Sequence, residues 1–521
     1  MTSTHFTTGT TITSEWLNDV NDAVYEGNIT AEGVQYTPPF TGGVTETVEA
    51  KLAQTVSVKD FGAVGDGVTD DTQAIQDADT AASADGKTLF FPDGIYCVSP
   101  NGIFMGGASW LGSSRDKSIL RAKAVSFSNL SGLVSCQNKD NFTISRLGFD
   151  LSTGVFPAGS GNPGNIYWGL SIQLCVGWSV SDCLFTGIQA QCQGLAVDAG
   201  ADFEIIDNLF YMPVPSGAYN QSCNISYASG VPTGYVFSRN ILNGSGLFSN
   251  GARGLIANNY VKGWKFGGGL TFGPNAGSSV NTVQGNIVVG QPTSQDINSV
   301  WPTGIECWSP YSIIIGNHVE NCSGDGIGTG GFAIQIIGNK CLNNGRGNGT
   351  TTGVGSGISI NSIGVDFEGS QSIVSNNSCL DTQVTPTQNY GIAEYIVGGP
   401  AMTRIDYANN KIQGFVTNKQ ILTSGQRSYK GEQVYETAAC NIPSLNAGQS
   451  HEEIILMPGV RLGDKPGWGC SFDTRGYSIM PHALTDNVVL TVTNVTSGVK
   501  AAPVGQSWTV WAEKAINSSG Y

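Results

Sequence analysis

Val58-Lys59-Asp60-Phe61-Gly62-Ala63-Val64-Gly65-Asp66-Gly67-Val68-Thr69-Asp70-Asp71-Thr72-Gln73-Ala74-Ile75 is the stretch that decides how this chain is read. Val56 and Val58 alternate like a strand, and Gly62, Gly65 and Gly67 allow turns that residues with a β-carbon resist. Asp70 with Gln73 has the spacing of a capping box, and Ala74, Ile75, Ala78 and Ala82 then fall on one helical face. Asp85-Gly86 ends the helix, and Leu89 to Tyr96 reads as strand, Pro-Asp-Gly turn, strand. A helix flanked by short strands, placed before a long run of repeats, has the makings of a lid. A stack of strands without one exposes a raw edge that invites aggregation.

The repeats begin near residue 140. Their unit is an apolar-alternating strand, a polar bend and a second short strand, as in Ile144-Ser145-Arg146-Leu147, Val180-Ser181-Asp182-Cys183, Ile205-Ile206-Asp207-Asn208 and Phe237-Ser238-Arg239-Asn240. The unit recurs through Ile256-Ala257-Asn258-Asn259, Val283-Gln284-Gly285-Asn286, Ile314-Ile315-Gly316-Asn317, Ile336-Ile337-Gly338-Asn339, Val374-Ser375-Asn376-Asn377 and Tyr407-Ala408-Asn409-Asn410. From Asn208 to Asn410 the bend asparagines are 32, 19, 27, 31, 22, 38 and 33 residues apart. A period above 20 with variable insertions predicts a right-handed parallel β-helix, and asparagines stacked at successive bends can bond into a ladder. A further strand recurs as Gly194-Leu195-Ala196-Val197, Gly269-Leu270-Thr271-Phe272, Gly304-Ile305-Glu306-Cys307, Gly357-Ile358-Ser359-Ile360 and Gly391-Ile392-Ala393-Glu394. Its apolar residue points inward and the next one outward, onto a flat face suited to a groove.

Composition agrees. Glycine accounts for 71 of 521 residues and only 12% are charged, which argues against disorder and against helical bundles. The net charge is −15 and no basic run stands out, so no nucleic-acid partner is expected. Twelve cysteines lack CxxC pairs, which speaks against zinc and for buried free thiols. His5, His318, His451 and His482 are dispersed, and no cofactor or metal is expected. Met1 to Gly9 has neither a basic start nor an apolar stretch, and no apolar run reaches spanning length. Synthesis in a cytoplasm, without membrane insertion, is the expectation.

Three domains are expected: residues 1–54, a β-helix over 55–420 with its lid at 55–100, and a small antiparallel β-sandwich over 421–521. In the first, Ile12, Trp16, Val20 and Val24 mark a short amphipathic helix. One such helix is marginal alone, so its face should pack on sister chains or a partner. In the last, strands are read at Val434 to Cys440, Glu452 to Met457, Trp468 to Phe472, Tyr477 to Met480, Val488 to Val492 and Ser507 to Trp511.

Val58 to Tyr96 closely resembles the N-terminal cap of the pectate-lyase-like β-helix superfamily, and the whole chain resembles the trimeric tailspikes of tailed bacteriophages. Thr11-Ile12-Thr13-Ser14-Glu15-Trp16-Leu17-Asn18-Asp19-Val20 resembles their virion-attachment starts. Ile442-Pro443-Ser444-Leu445, Pro458-Gly459 and Leu462-Gly463-Asp464 resemble the sandwich that trimerises some of them. The resemblance implies a homotrimer on the virion, attached to a phage tail or baseplate protein through its N-terminal segment. It would bind, and usually depolymerise, a bacterial surface polysaccharide such as capsule, exopolysaccharide or O-antigen.

Glycoside hydrolysis needs two carboxylates. Glu306 is the first candidate, because it stands outward where other repeats carry Ala196, Thr271, Ser359 or Ala393, with Trp301, Trp308 and Tyr311 near it to face sugar rings. Asp325, in Ser323-Gly324-Asp325-Gly326-Ile327, lies one rung on. Its offset from the shared glycine is odd, so strict alternation would turn it away unless the flanking glycines make a turn. The plainer alternatives are a solvated strand glutamate and a turn aspartate. Asp296 could fold over the groove from its insertion; Asp198, Glu394, and Asp366 with Glu368 are reserves, Glu394 being out of phase. A lyase acting on a uronic-acid polymer would need a base instead, from Lys262, Lys265, His318 or Tyr311, and an adhesive spike would need only the aromatics.

Overall fold

The computed structural model describes residues 11, 13–21, 30–100, 102–127, 132–156, 167–188, 192–211, 221–226, 229–264, 268–273, 280–290, 303–346, 355–363, 369–397, 399–400, 402, 404–414, 427–430, 433–457, 460, 464–485, 487–503 and 505–513. Three long sheets of 11, 14 and 16 strands run the length of the solenoid, with every third strand hydrogen-bonded to the next. From Ile103–Met105 to Lys411–Gln413 each turn of the solenoid adds one strand to each sheet, Cys192–Asp198, Glu204–Ile206 and Leu209–Tyr211 being one such set. The lid adds strands to the 14- and 16-stranded sheets alone, and sandwich strands extend the longest. We call the three the groove sheet, the first wall and the second wall. All pairings within the solenoid are parallel, so the expected parallel β-helix is present.

The bend between the two walls explains the recurring asparagines. Asn208 N–H donates to Asn240 Oδ1 at 3.0 Å, and Asn208 Nδ2 donates to Val180 O at 2.9 Å and to Asn240 Oδ1 at 3.1 Å. The same links connect Asn240, Asn259, Asn286, Asn317, Asn339, Asn377 and Asn410, all buried. Only a side chain that donates and accepts at once can satisfy both backbones. The residue before each asparagine takes positive φ, which Gly285, Gly316 and Gly338 meet without a β-carbon and Asn258, Asn376 and Asn409 tolerate.

Inside the solenoid, equivalent side chains stack from rung to rung. Phe149, Phe185 and Phe210 lie 5.0 and 4.7 Å apart in near-parallel planes, and Trp178 lies 4.5 Å from Phe203. One apolar core runs from Val58 to Ile412. Eleven of the twelve cysteines are buried and all are free thiols, as expected.

The lid helix spans Thr72–Ala84 and buries Ile75, Ala78 and Ala82. The expected capping box does not form: the helix starts one residue later, Asp71 makes no side-chain cap, and Gln73 bonds Asp77 instead. Asp70 accepts from Thr72 N–H at 3.1 Å, while Asp71 accepts from the Val64 and Gly65 amides of the glycine turn at 2.6 and 3.1 Å. These acids build the turn, so none is available for chemistry. Asp79, fully buried, receives the Trp110 indole N–H at 2.7 Å and ties the helix to the first rungs.

Near the N-terminus, a helix occupies Ser14–Asn21; Ile12 and Val24 lie outside the described residues. After the solenoid, six strands fall close to the expected positions: Gln433–Ala439, Ser450–Leu456, Lys465–Cys470, Tyr477–Leu484, Asn487–Asn494 and Ser507–Glu513. They form two antiparallel three-stranded layers around a separate core of Leu445, Met457, Leu490 and Trp508. Gln433–Ala439 pairs parallel with the last second-wall rung at Lys411–Gln413 and antiparallel with Ser507–Glu513. The sandwich therefore closes the second wall.

Candidate active site

Glu306 sits at the middle of the groove-sheet strand Ile305–Cys307, with Thr271 and Gly328 as its register partners. Ile305 and Cys307 are fully buried in the core, and the alternation that turns them inward turns Glu306 out. Its neighbours nevertheless cover it to 7% exposure. Trp308 Nε1–H donates to Oε1 at 2.8 Å, and the Thr271 hydroxyl lies 3.5 Å from Oε2. Burial pushes the Glu306 carboxyl up to about 7 against these two bonds, and the charge of Asp325 adds to the rise. A carboxyl held this way is about half protonated at neutral pH and more so below it, which is the poise a general acid needs.

Asp325 lies in the bend before the strand Ile327–Thr329 and faces the same side as Glu306. Its Oδ1 accepts the Ser356 amide at 2.6 Å and its Oδ2 the Ser359 hydroxyl at 2.6 Å, and Ser359 is the outward register partner of Gly328. The odd offset is thereby resolved. The residue before the shared glycine precedes the regular strand, and it leans over the outward column: a β-carbon on Gly328 would lie 3.2 Å from Thr303 Cγ2, and one on Gly268 would lie 3.5 Å from Glu306 Cβ. Burial raises the Asp325 carboxyl from its ordinary range, while the Ser359 and Ser356 bonds favour its ionised form.

Glu306 and Asp325 thus bracket Gly328, the position without a side chain. Rungs about 4.8 Å apart put carboxylates held by adjacent and next-adjacent rungs in the range of about 5–10 Å. Glycosidase pairs fall in that range.

Of the expected sugar-facing residues, Trp308 is half-buried against Glu306, and Gly330 makes room for its ring: a β-carbon there would fall 2.1 Å from Trp308 Cζ3. Tyr311 is 50% exposed at the corner leading to the first wall, edge-on to Phe332. Trp301, Asp296, Lys265, Asp366 and Glu368 lie outside the described residues. Asp198 ends its own strand and is bonded by Ser226 and Ser229. Glu394 points into the core, where it accepts the Tyr407 hydroxyl at 2.6 Å. Lys262 and His318 belong to the second wall, and His318 pairs with Glu320 at 3.0 Å. Neither faces Glu306.

Sequence reasoning passed over Tyr395. It stands two residues beyond Ala393 on the outward face, and its hydroxyl is pushed up by burial and by the charge of Asp325. It also passed over Ser356 and Gly328, and it gave Ser359 no more than an outward position. The signal for all four was the register of the groove sheet, which no single rung displays.

A capped parallel β-helix with two carboxylates on one sheet face is the class this structure defines. The chain belongs to the rhamnogalacturonase A/epimerase, pectate lyase-like family, whose sequence profile it matches over residues 55–327. It is similar to a mannuronan C5-epimerase of Azotobacter vinelandii, AlgE3, at 34% identity over 105 residues, 18% of this chain and 6% of that protein. It is also similar to the plasmin and fibronectin-binding protein A of Streptococcus pneumoniae, at 58% identity over 45 residues, 8% of this chain and 6% of that protein. The chain thus spans a small fraction of either relative. Among solved structures, the Dettilon tailspike protein shares 14% identity and a TM-score of 0.50, over 94% of this chain and all of that one, which shows a common fold. The superfamily resemblance read from Val58 to Tyr96 is borne out.

Proposed function

We propose that this protein is a phage tailspike that binds a bacterial surface polysaccharide and depolymerises it by glycoside hydrolysis. Glu306 is the general acid that protonates the leaving oxygen, and Asp325 is the base or nucleophile. The observation that carries the reading is the pair itself: two buried carboxyls face one groove, one raised by burial to about 7, the other held by two donors, with a glycine between them. Trp308 serves twice, orienting Glu306 through its N–H and offering an apolar edge to the sugar.

Incubating the protein with bacterial polysaccharides tests this. New reducing ends without absorbance in the unsaturated-uronate band indicate hydrolysis; that absorbance indicates β-elimination, and unchanged chain length indicates adhesion alone. Glu306→Gln and Asp325→Asn should each lower the rate by about 10²-fold or more. Full activity in both removes the assignment.

The working unit is a homotrimer on the virion, joined to the tail through the N-terminal segment. Ile241, Tyr260 and Ile287 support this: adjacent in register on the second wall, they are 45%, 37% and 45% exposed and form an apolar column suited to side-by-side packing. A sedimentation mass of one chain would overturn it.

A further inference from the structure

A cavity of about 470 Å³ opens on the groove sheet nearer the lid. Phe104, Ser135, Gln137, Trp168, Ser171 and Gln173 line it, together with two buried sulfur-containing side chains. Phe104, Ser135 and Ser171 are consecutive register partners in the same outward column that later carries Thr271 and Glu306. Five register steps separate Ser171 from Glu306 in those pairings, which at about 4.8 Å each is about 24 Å. The cavity is therefore a separate place on the same face.

Its chemistry differs from that of the first site in a consistent way. Trp168 stands immediately before Gly169, the position Asp325 occupies before Gly326, so an indole replaces the carboxylate. Phe104, 67% exposed, offers a second ring. Opposite Trp168 in register is Gly132, where a β-carbon would lie 3.6 Å from the indole Cγ and 2.7 Å from the Trp168 carbonyl oxygen. The Trp168 indole N–H is buried and has no hydrogen-bond partner among the described residues. Such donors are rare unless something else satisfies them. Gln137 and Gln173, register partners on the rim, add amides that both donate and accept. Between this cavity and Glu306 the outward column also contains Asn224, whose buried Oδ1 likewise has no partner among the described residues.

Aromatic faces, amides and hydroxyls without a charged group are the lining of a site for neutral sugars. Among the described residues no carboxylate lines the cavity, so it is suited to binding without cutting, and a chain of net charge −15 does not attract a polyanion. We propose that this cavity is a second carbohydrate-binding site that holds an uncharged stretch of the same polysaccharide cut at Glu306; to that extent it rests on the reading above. Holding the polymer at two points turns the second contact into an intramolecular one, which favours long chains over short fragments.

The test uses full-length protein carrying Glu306→Gln and Asp325→Asn, so that chains stay intact, on an array of bacterial capsular and O-antigen polysaccharides. Adding Trp168→Ala should weaken binding to the retained glycan about tenfold, the loss of about 1.4 kcal/mol, while Trp168→Phe, which keeps a ring face but loses the N–H, should weaken it less. Gln137→Ala with Gln173→Ala, changes at the rim that spare the core, should weaken it in the same direction and serve if the tryptophan variant folds poorly. Unchanged affinity in the alanine variants overturns the proposal. Cleavage of the same glycan by the native protein is scored separately: Trp168-dependent binding without cleavage defeats the hydrolytic reading alone, and cleavage with Trp168-independent binding defeats the second site alone.

Discussion

Glu306 has a cost that can be measured without any substrate. Its carboxyl titrates near 4.5 in an unfolded chain and near 7 in the fold. Below pH 4.5 it is protonated in both states and leaves stability alone. As pH rises from 4.5 to 7 the unfolded chain ionises first, so stability falls, at about 1.4 kcal/mol per pH unit and about 3 kcal/mol in full. Glu306→Gln should therefore melt higher than the native protein at pH 8 and no higher at pH 4, and equal shifts at both would contradict the buried, proton-holding side chain. For the same reason, activity should fall as pH rises through about 7 and Glu306 gives up its proton. Gly330 makes a second test: an alanine there meets the Trp308 ring at 2.1 Å, so Gly330→Ala should cost about 1–3 kcal/mol and displace the indole from Glu306. Denaturant unfolding would record the first effect and loss of rate the second.

At the scale of the element, the asparagine ladder and the lid repay comparison with the sequence. The ladder was legible in full, because a period read in asparagines is a physical repeat: the same two-way bonding recurs at each bend. Asn286→Ala removes the middle of it, orphaning the Asn259 amide, and should cost about 2–4 kcal/mol by denaturant unfolding. A loss below about 1 kcal/mol would show that the ladder is ornament. The lid's end was legible in Asp85-Gly86, but its start was misread, since Asp71 was needed to hold the glycine turn and could not also cap a helix. Asp325 shows the other limit. Alternation is a rule about residues within a strand, and Asp325 stands just before one, so its facing depended on a bend that spacing does not encode. Tyr395, two rungs further, depended on the register of the whole sheet.

The molecule as a whole carries its surface logic in columns that run across rungs. The groove sheet presents aromatic and amide groups near the lid and paired acids further along, whereas the second wall presents Ile241, Tyr260 and Ile287. If the proposed trimer packs through that column, Ile287→Arg places a charge within it and should shift the sedimentation mass towards single chains, with the circular dichroism of the solenoid kept. Retention of the trimer would move the contact elsewhere.

The separations between ladder asparagines vary from 19 to 38 residues along the chain, yet each link keeps nearly the same length. The frame responds to register and takes no account of how much chain hangs between one bend and the next. The chain between one bend and the next can be lengthened, shortened or exchanged at the modest price of closing a loop, while the bonds that hold neighbouring turns together stay as they were. Change in the connecting segments is thereby uncoupled from the risk of unfolding: they are free to vary while the ladder beneath them stays bonded.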